Sequence, residues 1–159
     1  VSQISRNMPL SLIRSAEAYV RTGLAVNDAF IACWNCKYVY NVQRPVTYIQ
    51  ANIDAAWTPF LTTPPFPSYT SGHSTQSAAV AAVLTDMFGP SFAFNDTTHI
   101  DHNVVPLVSR EFESFEQAAH EAAVSRLYGG IHYSFDNVDG FDSGTKIGSL
   151  INRRIHFHQ

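Results

Sequence analysis

Three short stretches of this chain gather cations, imidazoles and hydroxyls at spacings that suit the binding of an anion. Lys37 and Arg44 stand seven positions apart, two helical turns or about 10 Å along an axis, so both side chains fall near one face and can reach toward one anion. Taken alone, the pair reads more simply as two solvated surface charges. The second stretch, Pro67-Ser68-Tyr69-Thr70-Ser71-Gly72-His73, precedes an alanine-rich run. A helix starting there would aim free N–H groups and the positive end of its dipole at an oxyanion. Gly72 would allow close backbone approach, Ser71 adds a hydroxyl and His73 a titratable ring. The bland alternative makes Ser71 only an N-cap and His73 a surface residue. The third stretch runs from Ser125 to His132. Its Arg126 can grip an oxyanion through two N–H groups, and Gly129-Gly130 breaks the helix so that His132 can turn back toward that guanidinium. Asp136, four positions on, can orient the imidazole.

The elements that must carry these groups are helical. Leu10 to Gln43 has apolar residues at three- and four-residue intervals, with no proline and one glycine, and predicts one long helix or two sharing an axis. Pro45 should stop it, leaving Arg44 at the exit. Residues 46–72, rich in Pro, Thr and Ser, read as a long shaped loop. Ser74 to Phe88 predicts a central helix, apolar over most of its circumference and closed by Gly89-Pro90. Residues 91–111 read as irregular. A further helix is expected from Ser114 to Tyr128 and a last one from Asn137 or Asp142 to Arg154. Nothing alternates in the manner of a sheet, and no repeat or linker divides the chain. The fold class is all-α, with residues 1–159 forming a single helical domain.

Composition narrows the function. At 159 residues, 45% hydrophobic and 13% aromatic, the chain can bury a sizeable core. Only 14% of residues are charged and the net charge is -3, so no basic surface suggests nucleic acid and anion recognition must be local. The longest apolar run, Ala78 to Leu84, is far short of the roughly 18 residues that cross a bilayer, and the chain reads as soluble, without a membrane partner. The first residues, which lack an initiator Met, look like a processing point or an internal boundary. Cys33 and Cys36 read as two thiols packed in a core, because a zinc site needs two further ligands at a familiar spacing. His99, His102, His120, His156 and His158 fall in no motif.

Together the stretches spell K-x6-R-P over Lys37–Pro45, P-S-x2-S-G-H over Pro67–His73 and S-R-x5-H-x3-D over Ser125–Asp136. In that order they resemble the three-part signature of the vanadium haloperoxidase and phosphatidic acid phosphatase type 2 superfamily, over about Ala25 to Asn137. The resemblance implies a helical bundle of the vanadium haloperoxidase and acid phosphatase type, here its C-terminal half. Lys37, Arg44, Ser71, Gly72 and Arg126 would then surround the equatorial oxygens of a vanadate cofactor, which phosphate can replace. His132 would be the axial vanadium ligand, His73 the acid-base group on the opposite side, and Asp136 the residue holding His132 in its tautomer.

The activity implied is oxidation of halide, iodide or bromide favoured, by hydrogen peroxide. The same cage suits a soluble acid phosphatase working through a phosphohistidine, and a non-enzymatic phosphate-binding remnant stands as the reading from another class. WNCKYVYNVQRPVT, from Trp34 to Thr47, and PPFPSYTSGHST, from Pro64 to Thr75, look like the haloperoxidases' versions of these segments, closest to bacterial enzymes of marine type. Trp34 and Phe66 could line the pocket or be ordinary core aromatics. Haloperoxidases are much longer, with a large helical region before the lysine motif. The expectation is therefore part of a larger enzyme, with the N-terminal part as a separate or cleaved chain. Partners would be hydrogen peroxide, halide and an organic acceptor. A homo-oligomer stays open, and a periplasmic or secreted location is expected.

Overall fold

A computed structural model describes residues 1–98, 100 and 107–157. After a short α1, Ser2–Asn7, helix α2 spans Leu12–Tyr40. It opens on Ser11, whose hydroxyl accepts from the Arg14 N–H, and ends where Asn41 turns left-handed at φ 49° with its N–H on the Lys37 carbonyl. Asparagine tolerates that conformation and is a natural C-cap. The chain has therefore left the helix before Arg44, and Lys37 and Arg44 do not share a helix face as their spacing suggested. Arg44 is instead the N-cap of α3, Pro45–Asn52. A proline in the first helical turn loses no hydrogen bond and brings a preset φ, so the residue expected to stop one helix starts another. The irregular stretch expected over 46–72 begins only after Asn52.

Helix α4, Gly72–Phe88, is the centre of the bundle and packs against α2, α5 (Phe115–Tyr128) and α6 (Ser134–Arg154). Its Ala78, Ala79, Ala81, Val83 and Leu84 are buried, as its apolar circumference required. Helix α5 starts on Ser114, whose hydroxyl accepts from the Gln117 N–H. Between α4 and α5, β1 (Phe94–Asp96) pairs antiparallel with β2 (Arg110–Phe112). These strands are too short to show alternation. Aromatic contacts hold them, Phe94 lying 5.4 Å from Phe112 and from Phe115.

Helix α6 begins at Ser134, earlier than its glycine-, serine- and aspartate-rich sequence suggested. Propensity loses here to packing. Gly140, Gly144 and Gly148, one turn apart, let α6 lie almost backbone to backbone on α4. A Cβ at Gly148 would stand 2.5 Å from the Ala79 carbonyl oxygen, and one at Gly144 would overlap the carbonyl of Thr75. An ionic cluster ties these two helices to α2 further down. Arg21 of α2 donates to Glu17 at 3.0 Å, to Asp86 of α4 and to the side-chain oxygen of Asn152 of α6.

Among the described residues no group of three or more His, Cys, Asp and Glu is arranged to hold a metal ion, and no helix is long and apolar enough to cross a membrane. Cys33 is buried and Cys36 partly so, both as free thiols. His120 and His156 are exposed, while His99, His102 and His158 lie outside the described residues.

Candidate active site

The last turn of α2 carries Lys37 into the protein until only 1% of it is exposed. Its ammonium donates to three main-chain carbonyls of the loop before α4: Pro67 at 3.0 Å, Ser68 at 2.9 Å and Thr70 at 2.6 Å. Burial lowers its pKa to about 8; Cys33 pulls against that shift, the nearby Arg44 adds to it, and Asp136 opposes it more weakly. Arg44, at the N-cap of α3, closes the same loop from the other side. Its Nε donates to the Phe66 carbonyl at 2.8 Å and its Nη1 to the Ile131 carbonyl at 2.6 Å, while Nη2 is buried with no protein partner. The two cations meet through the loop they grip, not along a shared helix.

Trp34 and Phe66 are not remote core aromatics. Their rings lie 5.0 Å apart, the Lys37 ammonium sits 5.7 Å from the Trp34 ring and 5.3 Å from Phe66, and the Arg44 guanidinium lies 5.1 Å from Phe66. An aromatic wall against two partly desolvated cations favours their charged forms.

Ser71 is both a helix cap and a wall of the site. It is fully buried, its hydroxyl accepts from the Ser74 N–H at 3.3 Å, and its own N–H donates to the Asp136 carbonyl. A methyl at Gly72 would make only ordinary contact with Trp34 and Cys33, so packing within the chain does not by itself demand glycine there. His73, in the first turn of α4, is exposed by surface area, yet enough of its ring lies against protein for desolvation to lower its pKa, with Arg126 and His132 adding to the effect.

Arg126 comes from the last turn of α5 and is partly buried. Its Nε has no protein partner, and its charge works against those of Arg44 and His73. After α5, Gly130 takes φ 72° and lets the chain reverse toward His132, which is buried. The imidazole's nearest partners in the protein are a carboxylate and a guanidinium. Its Nδ1 meets Asp136 Oδ2 at 2.9 Å and its Nε2 lies 3.2 Å from Arg44 Nη1. One tautomer satisfies both contacts: Nδ1 donates its proton to the carboxylate and Nε2 offers a lone pair on the side of the cations. Burial lowers the His132 pKa most, the Asp136 hydrogen bond pulls it back, and Arg44 lowers it again.

Sequence reasoning passed over Ser68 and Thr70. The Thr70 carbonyl accepts from Lys37 and from the Cys33 thiol, and the Ser68 hydroxyl donates to Asp136. Both lie inside a motif already quoted, but their partners are more than 30 positions away and no local spacing shows them.

The donors suit a multiply charged tetrahedral oxyanion. Buried N–H groups of Arg44 and Arg126 without protein acceptors, a third cation, the N-terminus of a 17-residue helix and one unprotonated imidazole nitrogen converge from α2, α3, α4, α5 and the start of α6.

Over residues 17–159 the chain matches the family described as the VCPO second helical-bundle domain. It is 30% identical to a vanadium-dependent bromoperoxidase of Ascophyllum nodosum, covering 91% of this chain and 25% of that protein. Among solved structures, a bacterial vanadium-dependent iodoperoxidase superimposes with a TM-score of 0.86 and 46% identity, over 90% of this chain and 34% of that one. A holo-type bacterial vanadium-dependent chloroperoxidase, at TM-score 0.70 and 20% identity over 84% of this chain and 34% of its own, shares the fold. The chain thus spans about a quarter to a third of the length of these relatives.

Proposed function

Because the chain belongs to the family of the VCPO second helical-bundle domain, we propose that it carries the active site of a vanadium-dependent haloperoxidase, with vanadate as the cofactor and iodide as the first halide to test. One arrangement carries the reading: His132 is held by Asp136 at 2.9 Å with Nε2 turned to Arg44, beside guanidinium N–H groups that no protein atom accepts. Similarity to a bacterial iodoperoxidase at 46% identity supports the choice of halide.

In this reading Lys37, Arg44 and Arg126 offset the charge of the bound oxyanion, while the Ser71 hydroxyl and the N–H groups opening α4, from Gly72 onward, donate to its oxygens. His132 would hold the cofactor through Nε2, since Asp136 keeps the proton on Nδ1. His73, with a pKa held below the usual imidazole value, stays largely neutral near pH 7 and can take a proton from hydrogen peroxide. Trp34 and Phe66 wall off one side of the cations from water. Vanadate, when bound, supplies the Lewis acidity that makes hydrogen peroxide an oxidant for halide, with the balance H2O2 + X⁻ + H⁺ → HOX + H2O.

The whole enzyme is larger in this proposal. Ile13, Val20, Leu24, Ile31 and Tyr38 of α2, spaced by four or seven positions along one side of the helix, are exposed, an apolar stripe that further helices of the same enzyme would cover. A homogeneous, active protein of 17.6 kDa with no second fragment would reject this part.

The activity is tested by loading the protein with orthovanadate and assaying oxidation of iodide and bromide by hydrogen peroxide, beside hydrolysis of para-nitrophenyl phosphate by the vanadate-free form, with His132→Ala as control. Vanadate-dependent halide oxidation lost in the variant is expected. Phosphatase activity alone, inhibited by vanadate, would make the chain a soluble acid phosphatase instead, and no turnover in either assay would leave a phosphate-binding remnant.

A further inference from the structure

Asp136 is fully buried, yet its two carboxylate oxygens have unequal surroundings. Oδ1 has no protein partner, whereas Oδ2 is met by three donors: His132 Nδ1 at 2.9 Å, the Tyr133 N–H at 3.1 Å and the Ser68 hydroxyl at 2.5 Å. Ser68 Oγ also lies 3.4 Å from His132 Nδ1, so hydroxyl, carboxylate and imidazole form a closed triangle.

The hydroxyl comes from a residue whose own backbone is fixed on both sides. The Ser68 N–H donates to the Val42 carbonyl at 2.8 Å, and its carbonyl accepts from Lys37 at 2.9 Å. Ser68 has 0% exposure, leaving its side chain no water to turn to. Rotation of an aspartate carboxylate about its last bond is soft. Two further donors arriving at Oδ2 from the loop and from the α6 backbone lock that rotation.

We propose that Ser68 is a positioning residue for His132. By holding Asp136 Oδ2 against the imidazole, its hydroxyl fixes the tautomer that turns Nε2 toward the anion, and its carbonyl ties the same geometry to Lys37. The residue acts through Asp136 and touches neither the oxyanion nor the halide. This rests on the reading of His132 as the group facing a bound oxyanion, and extends it to how that face is kept.

The test compares the wild type with Ser68→Ala, Ser68→Thr, Asp136→Asn and Ser68→Ala/Asp136→Asn. One readout is the ¹⁵N spectrum of His132 in histidine-labelled, anion-free protein, which reports the tautomer. The other is the pair of dissociation constants for orthovanadate and inorganic phosphate. The expected result is mixed tautomers in Ser68→Ala, both anions bound about tenfold more weakly, restoration in Ser68→Thr, and a double variant no worse than Asp136→Asn alone. A single Nδ1–H tautomer in Ser68→Ala with both constants unchanged, or effects of the two substitutions that simply multiply, would overturn the assignment. If the wild type binds neither anion, the oxyanion reading fails, and the tautomer of Ser68→Ala still decides whether Ser68 positions the ring. Should Ser68→Ala not fold, the tautomer and affinities of Ser68→Thr against Asp136→Asn carry the comparison.

Discussion

The backbone N–H of Ser71 donates to the carbonyl of Asp136 at 3.0 Å, joining the cap of α4 to the first turn of α6. One residue of α6 thereby fixes the histidine through its side chain and the serine loop through its main chain. The two motif segments are a single mechanical unit, and shifting one helix against the other moves both.

Gly144→Ala tests that coupling. Its methyl would overlap the Thr75 carbonyl, and overpacking of this kind costs about 1–3 kcal/mol. Urea unfolding should show a loss in that range. On the proposed reading halide oxidation should fall with it, although residue 144 lies about two turns beyond Asp136 on α6.

Lys37 gives opposite pH responses in binding and in stability. Its pKa is about 8 in the folded chain against an ordinary 10.5, so between those values the unfolded chain binds more protons and stability rises with pH. Unfolding free energies measured from pH 8 to 10 should climb in the wild type and lose this contribution in Lys37→Met. Phosphate affinity should weaken over the onset of the same range as the ammonium discharges.

Arg126→Lys separates binding from folding. The Nε of Arg126 has no protein acceptor, so the melting midpoint should change little, with unfolding free energy within about 0.5 kcal/mol. Orthovanadate affinity, which on the proposed reading uses the planar fork, should drop roughly tenfold or more. A large loss of stability without a loss of affinity would make Arg126 a structural residue.

The cluster around Arg21 should behave as a buried ion pair. Arg21→Met leaves Glu17, 4% exposed, with only Arg14 at 2.8 Å, and should cost about 3 kcal/mol. Replacing both, as Arg21→Met/Glu17→Leu, should recover most of that in the same unfolding experiment.

Much of this was legible in residue order. The end of α4 and the start of α5 lie where their caps predicted because Gly89 and Ser114 act locally, on neighbours within a turn, while α4 begins two residues before the expected Ser74. Pro45 misled, since a proline marks the start of a helix as readily as an end, and only the left-handed Asn41 upstream decides which. The start of α6 was hidden because its glycines weaken an isolated helix and are repaid only by contact with α4. In the candidate site, the types of Lys37, Arg44 and His132 pointed to an anion, and the structure places the three near one another. That Lys37 and Arg44 converge through carbonyls from 66 to 70, and that Ser68 reaches Asp136, depends on chain segments that spacing cannot relate.

The two buried cations are held by peptide oxygens of Phe66, Pro67, Ser68, Thr70 and Ile131. No codon change removes a carbonyl. A mutation in this loop can therefore change the side chains around the two cations while the grip on Lys37 and Arg44 survives, so on the proposed reading new halide preferences are reachable by single steps that keep the anion cage assembled.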